Sequence, residues 1–405
     1  MDAKARAIAN RRSAIWCTVN PRPECMRHDV VFKLFTGNLH PSYQSSTMSA
    51  ATFDSSLTSA FTELVGNVMG AIREHRQSCL DLGYDGPFLG AQMDLTTVAS
   101  EECITLSVSF VPPNSTEITR LGIRTKAFPD THTAHDIECW LEKCTKDIFA
   151  DLMGQDVKPK DSFRSFTVGQ GRNVVNACKA LGVEKCNAHR LNSATIWSLG
   201  IAGSDKTCKS KAMGKLMKRL AACVGVFSHS AVNNDELKEI QEELLRIYEL
   251  IRRKDTRWSS QHKMMARLLK VKKPIVEYFR LHTNNQRKLT AHEWLVTNEV
   301  CSLLDTTAEV TTRIQGSVDT HISQTIFFMK EAYEVMTGDT FPILGPEANS
   351  AVPASTENTP VEELSEEAQR VREVLVGVMV DRGLGTVDST VERICLLLDP
   401  RRKQC

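Results

Sequence analysis

The spacing of apolar residues changes twice along the chain. In SAATFDSSLTSAFTELVGNVMGAIREH, Phe53, Leu57, Phe61, Leu64 and Val68 recur at three and four residues, which predicts an amphipathic helix. The period then falls to two. PFLGAQMDLTT, CITLSVSFV and ITRLGIRTKAF read as three strands. The second is the clearest, with Ile104, Leu106, Val108 and Phe110 alternating with Thr105, Ser107 and Ser109. Turns at Ser100-Glu101-Glu102 and Pro112-Pro113-Asn114-Ser115 make the three strands successive antiparallel hairpins. Helical spacing returns from about Thr133 to Asp151, with Ile137, Trp140, Leu141, Cys144 and Ile148 on one face. FRSFTVGQ reads as a fourth strand and RNVVNACKALG as a short helix ending at Gly182. EKCNAHRLNSATIWSLGI starts as a fifth strand and runs into a helix.

Residues 85–200 therefore spell βββαβαβα. Hairpin-linked strands followed by βαβ units predict an α/β fold: an RNase H-like five-stranded mixed sheet with helices on both faces, plus a large all-helical insertion. The expected organisation is a flexible N-terminal arm (1–27), a helical entry segment (28–84), the RNase H-like core (85–200), a basic helical insertion (201–337), a flexible linker (338–364), and a C-terminal helix with an LDPR segment (365–405). The linker reading rests on four prolines and several acids. Within the insertion, DELKEIQEELLRIYELIRRK is expected to be one helix, its stripe made by Leu237, Ile240, Leu244, Ile247 and Ile251. Ser365 and the acids behind it mark the start of the last helix.

Charge sharpens this picture locally. The chain of 405 residues carries 50 Lys+Arg against 49 Asp+Glu, so it is not a uniformly basic coat for nucleic acid. Residues 201–290, however, hold 20 Lys/Arg and only 9 Asp/Glu. Lys211, Lys215, Lys218 and Arg219 fall on one helical face. The 13 cysteines are scattered, with no C-x-x-C pair, which points to reduced thiols in the nucleus or cytosol. No apolar run reaches the ~18–20 residues that span a bilayer, and the N-terminus has no apolar core of a signal peptide, so no membrane partner is expected.

Several segments, in order, resemble transposases of the hAT superfamily, in particular the BED-finger transposase-like group. FKLFTGNLHPSY (32–43) is similar to the entry segment, and MDLTT (93–97) to the strand that carries the first catalytic Asp. FTVGQGRNVVNACKALG (166–182) resembles the segment that reads T-D-N-G-x-N in the family, and KCNAHRLNSA (185–194) the C-x-x-H-x-L-N motif. DTRWSSQHKMMARLLKVKKPI (255–275) is similar to the TRW block and LLLDPRRK (396–403) to the LLDPRFK motif. The resemblance implies a nuclear protein whose partners are DNA and a second copy or a related transposase. It also implies catalysis by two divalent cations, Mg²⁺ by preference, held by three convergent carboxylates.

Set against that pattern, the carboxylate set is incomplete. Asp94 matches the first Asp and is the one expected metal ligand, in vestigial form. Gly169 stands at the expected second Asp and offers no side-chain oxygen; Asp156 and Asp161 lie eight or more residues upstream, too far to replace it on a strand end. The third carboxylate is expected in a region beyond LDPR that this chain lacks, and neither Glu331 nor Glu392 is placed in the site by the resemblance. A BED finger's C-x2-C…H-x3–5-H spacing is also missing.

Other residues carry two readings each. His189, paired with Cys186, lies near the scissile phosphate or forms half of a metal site, or it is a packed, hydrogen-bonded residue at the end of the fifth strand. Arg257 contacts phosphate and Trp258 stacks on a base, or Trp258 anchors a helix start in the core. Lys211, Lys215, Lys218, Arg219, Arg252, Arg253, Lys272 and Lys273 track a DNA backbone, or they are solvated helix faces balanced by neighbouring acids.

The expectation is a degenerate hAT-transposase-like protein without catalysis, with DNA binding retained in the basic insertion and no bound cofactor beyond Mg²⁺ where activity survives. The alternatives are an active metal-dependent transposase or endonuclease with a displaced carboxylate, and an interaction scaffold with no DNA role.

Overall fold

The computed structural model describes residues 50–98, 101–113, 115, 118–127, 133–169, 171–202, 207–244, 246–253, 258–282, 287–316, 322–344, 356–385 and 393. The expected arm, residues 28–49 of the entry segment and the LDPR motif lie outside these residues. The chain forms two compact units, Met1–Glu184 and Lys185–Cys405.

The first unit begins with α1 (Ala50–Asp81) and continues through β1 (Leu89–Val98), β2 (Glu101–Phe110) and β3 (Thr119–Ala127). Then come α2 (Ala134–Met153), the single turn α3 (Pro159–Ser162), β4 (Phe163–Val168), the short α4 (Arg172–Ala177) and β5 (Val183–Lys185), in which the boundary between the units falls. The five strands run in the order β3-β2-β1-β4-β5, the RNase H-like order. β1 and β2 are antiparallel, as are β2 and β3, while β1 and β4 are parallel, so the sheet is mixed.

Alternation divides the sheet into two chemically distinct faces. Leu89, Ala91 and Met93 of β1, Ile104, Leu106, Val108 and Phe110 of β2, and Phe166 and Val168 of β4 are buried. They share one core with Ile72 of α1, with Ile137, Trp140, Leu141 and Phe149 of α2, and with Val174 and Ala177 of α4. The opposite face carries Gln92, Asp94, Thr105, Ser107, Ser109, Ser165 and Thr167, none of them buried. Within this unit the described helices thus contribute to the core of one sheet face, not both. α2 is delimited by its ends: Thr133 caps it by accepting from the Asp136 N–H, and Gly154, at φ 99°, ends it.

The second unit is helical: α5 (Asn187–Ser198), α6 (Lys211–Ser228), α7 (Ala231–Leu244), α8 (Trp258–Lys270), α9 (Lys272–Leu281), α10 (Ala291–Gly316), α11 (Ile322–Thr337) and α12 (Glu366–Asp381). Leu191 and Ala194 of α5 belong to its core beside Leu220, Leu268, Leu304 and Leu375. The helix after β5 therefore packs in the helical unit, and the break falls at 184/185 rather than at 200.

Two expectations in this unit need correcting. The segment 338–364 is not simply a linker: β6 (Thr340–Leu344) and β7 (Thr356–Pro360) pair antiparallel across it, and Phe341 is buried in the core. The helix expected to start at Asp235 is α7, which begins at Ala231 and stops at Leu244, short of the predicted Ile247 and Ile251. There the buried Gln241 side chain accepts from the Tyr248 N–H at 2.8 Å, which supplies the chain after the break with a backbone partner. Tyr248 is then covered by Lys270, 4.2 Å from its ring centre, and by Arg267.

Candidate functional site

The strand-end position in the first unit is set by register. Met93 of β1 pairs with Val168 of β4, the last parallel pair. Asp94 is the next residue of β1, and Gly169 is the residue that follows β4, so the two stand one position beyond the last pair of the ladder. Across the other edge of β1, Asp94 faces Thr105, whose hydroxyl lies 3.2 Å from that of Thr125 on β3. Asp94 is half-buried and Gly169 buried. The neighbourhood offers hydroxyl and carboxamide oxygens but a single carboxylate on these two strands.

Cys186 and His189 belong to the second unit, at the start of α5. Cys186 is its N-cap, and its carbonyl receives the Arg190 N–H at 3.0 Å. Burial pushes the Cys186 thiol up, but hydrogen bonds from His189 and Ala188, and the charge of His189, outweigh it and hold the thiol below its ordinary value. Other described thiols behave oppositely: burial pushes Cys144 up to about 11 and Cys178 and Cys223 up to about 12.

The ten basic and aromatic candidates for DNA contact separate sharply. Lys211, Lys215 and Lys218 are exposed on α6, whose opposite face (Met213, Leu216, Met217, Leu220) is buried. These three lysines have no carboxylate partner among the described residues. Arg219, one position on, is committed to Glu293 and also donates to the Lys288 carbonyl at 2.8 Å. Arg252 donates to the Ser228 carbonyl, the last residue of α6, and so caps that helix. Arg253 is half-buried. Lys272 sits over the Trp294 ring at 5.7 Å, and Lys273 shares a groove with Glu243 and Glu277. Trp258 is 1% exposed and opens α8 in the core, its backbone N–H donating to the Asn192 side-chain oxygen at 3.2 Å. It takes the core-anchor reading, because a buried indole cannot stack on a base. Arg257 lies outside the described residues.

One cluster is not apparent from sequence patterns. His262 on α8 lies 2.7 Å from the Asp305 carboxylate on α10, and Cys301 stands one turn before Asp305. Ligand atoms of the three residues all lie within 4.8 Å of one another. Cys301 and Asp305 are four apart on one helix, a spacing legible in sequence, but nothing in the sequence brings His262 to them. Burial, and then the Asp305 charge, push the Cys301 thiol up.

No protein-family model matches this chain, and no curated protein matches it. Among the described residues no helix is long and apolar enough to cross a membrane.

Proposed function

We propose that this is a hAT-transposase-like protein that binds the DNA backbone without cutting it. The observation that carries the reading is the lysine face of α6: three exposed ammonium groups, unpaired among the described residues, on a helix whose other side is locked in the core. From Lys211 to Lys218 the axis advances about 10 Å at ~1.5 Å per residue, which matches about three phosphates of one strand at ~3.4 Å rise. Such a face reads charge, not bases. The register that ends at Met93–Val168, with Asp94 and Gly169 each the next residue in sequence, supports the loss of cleavage, because one carboxylate cannot hold two hard cations at a fixed spacing. A nuclear site of action and self-association, or pairing with a related transposase, accompany this reading.

Binding to duplex DNA titrated with salt tests it. Replacing Lys211, Lys215 and Lys218 together by Ala is expected to reduce the slope of log affinity against log salt by about 3. An unchanged slope would remove the DNA role. Plasmid nicking in Mg²⁺ or Mn²⁺ that disappears in Asp94→Ala would restore the enzyme reading.

A further inference from the structure

We propose that His262, Cys301 and Asp305 form a mononuclear site for a divalent transition metal of the zinc class, in the helical unit and independent of any chemistry at Asp94. The donor set is one imidazole nitrogen, one sulfur and one carboxylate oxygen, mutually within 4.8 Å. That mixture disfavours Mg²⁺ and Ca²⁺, which take oxygen ligands, and suits Zn²⁺, which accepts all three. The scaffold is rigid where the soft ligand sits. Cys301 is 1% exposed on α10, flanked by the buried Val300, Leu303 and Leu304. Asp305 follows one turn later on the same face, and His262 descends from α8 with its ring 6.0 Å from that of the buried Trp258.

The adjustment needed between His262 and Asp305 is small. His262 Nε2 and the Asp305 oxygen are now 2.7 Å apart. Two ligands of a tetrahedral ion with bonds of about 2.0–2.1 Å stand about 3.3 Å apart, so Asp305 must swing by roughly half an ångström. Its side chain is 54% exposed, so it is free to do so. Binding replaces the hydrogen bond with two coordinate bonds: neutral His262 loses its Nε2 proton to solvent and takes one up at Nδ1, which frees the Nε2 lone pair for the metal, and the thiol proton of Cys301 is released to solvent. Three protein ligands leave a fourth position, and the exposure of Asp305 opens it to water or to a ligand atom from a partner.

The test uses the full chain freed of metal by chelation, with Co²⁺ as the optical probe and Zn²⁺ as competitor. The expected result is one Co²⁺ per chain, with tetrahedral visible bands and a thiolate charge-transfer band, all displaced by Zn²⁺. Asp305→Asn and His262→Gln are expected to weaken binding roughly tenfold or more, and Cys301→Ser to abolish the charge-transfer band. The chain has 13 cysteines, so a band that survives Cys301→Ser assigns the ion elsewhere and overturns the proposal. Should Cys301→Ser lose its circular-dichroism signature of folding, the exposed Asp305→Asn decides: unchanged Co²⁺ affinity overturns the site. Absence of stoichiometric binding to the unaltered chain does the same.

Discussion

Asp94 stands one residue beyond the pair formed by Met93 and Val168, and Gly169 is the residue that follows the end of the neighbouring parallel strand. Parallel strands lie ~4.8 Å apart, a separation over which two aspartates could share a cation. Gly169→Asp should therefore create a two-carboxylate site. Without metal, a buried second carboxylate beside Asp94 is expected to cost about 1–3 kcal/mol. Millimolar Mg²⁺ or Mn²⁺ should return part of that loss, seen as a rise in Tm for Gly169→Asp, no rise for the unaltered chain, and none when Asp94→Ala is added. Equal responses in all three would show that the two positions do not act together.

Trp258 separates a structural from a DNA-contacting role. It is buried, and its indole N–H has no acceptor among the described residues. Trp258→Ala should cost about 3–5 kcal/mol in urea unfolding. Trp258→Phe should cost far less, under about 1.5 kcal/mol, because it also removes a buried unpaired donor. DNA affinity and its salt slope should be the same in Trp258→Phe as in the unaltered chain; a tenfold loss would return Trp258 to the interface.

The sheet was legible because one of its faces is a core and the other is polar. Ile104, Leu106, Val108 and Phe110 alternate with Thr105, Ser107 and Ser109 so regularly that face and strand could be read together. The break after Leu244 was not, because the apolar spacing continues through Ile247 and Ile251 while the contact that ends the helix is a side-chain to backbone bond from Gln241. The pairing at 340–360 was hidden by its prolines, which are strand-compatible at an edge. Arg219 and Lys218 look alike in sequence, and only the approach of Glu293 from 74 residues away tells them apart. His262 lies in the same 255–275 segment as Arg257 and Trp258, and only the fold brings the carboxylate and thiol of α10 to it.

Cys186 should be the most reactive of the thiols whose ionisation is shifted. His189 and the first N–H groups of α5 favour its thiolate, whereas burial keeps Cys144, Cys178 and Cys223 protonated. At pH 7.5, limited iodoacetamide followed by peptide mass spectrometry should label Cys186 before those three. His189→Ala should slow that labelling severalfold without changing the others. Equal rates in both proteins would mean that His189 does not stabilise the thiolate.

Glu293 ties α6 to the start of α10 and should make stability depend on acid. Thr290 caps α10 and exchanges hydrogen bonds with Glu293: the Glu293 N–H reaches the Thr290 hydroxyl at 3.1 Å, and the Thr290 N–H reaches the carboxylate at 2.8 Å. Arg219 reaches the same carboxylate from α6. Burial pushes the Glu293 carboxyl up, but Arg219 and Thr290 outweigh it and hold the carboxyl below its ordinary value. Its folded pKa is thus depressed, so its stabilisation is complete above the unfolded glutamate value near ~4.3 and is lost as pH falls through the folded one. Glu293→Gln should lower stability by about 1 kcal/mol at pH 7, since Arg219 is nearly half-exposed and solvent screens the pair. Urea midpoints of the two proteins should converge as the pH drops towards 3. Arg219→Ala should reproduce most of the loss at pH 7, and the double variant should be less destabilised than the sum of the single ones. A gap between the unaltered chain and Glu293→Gln that stayed constant from pH 7 to pH 3 would mean that the charge of Glu293 contributes nothing, and that the capping hydrogen bonds alone fasten the start of α10.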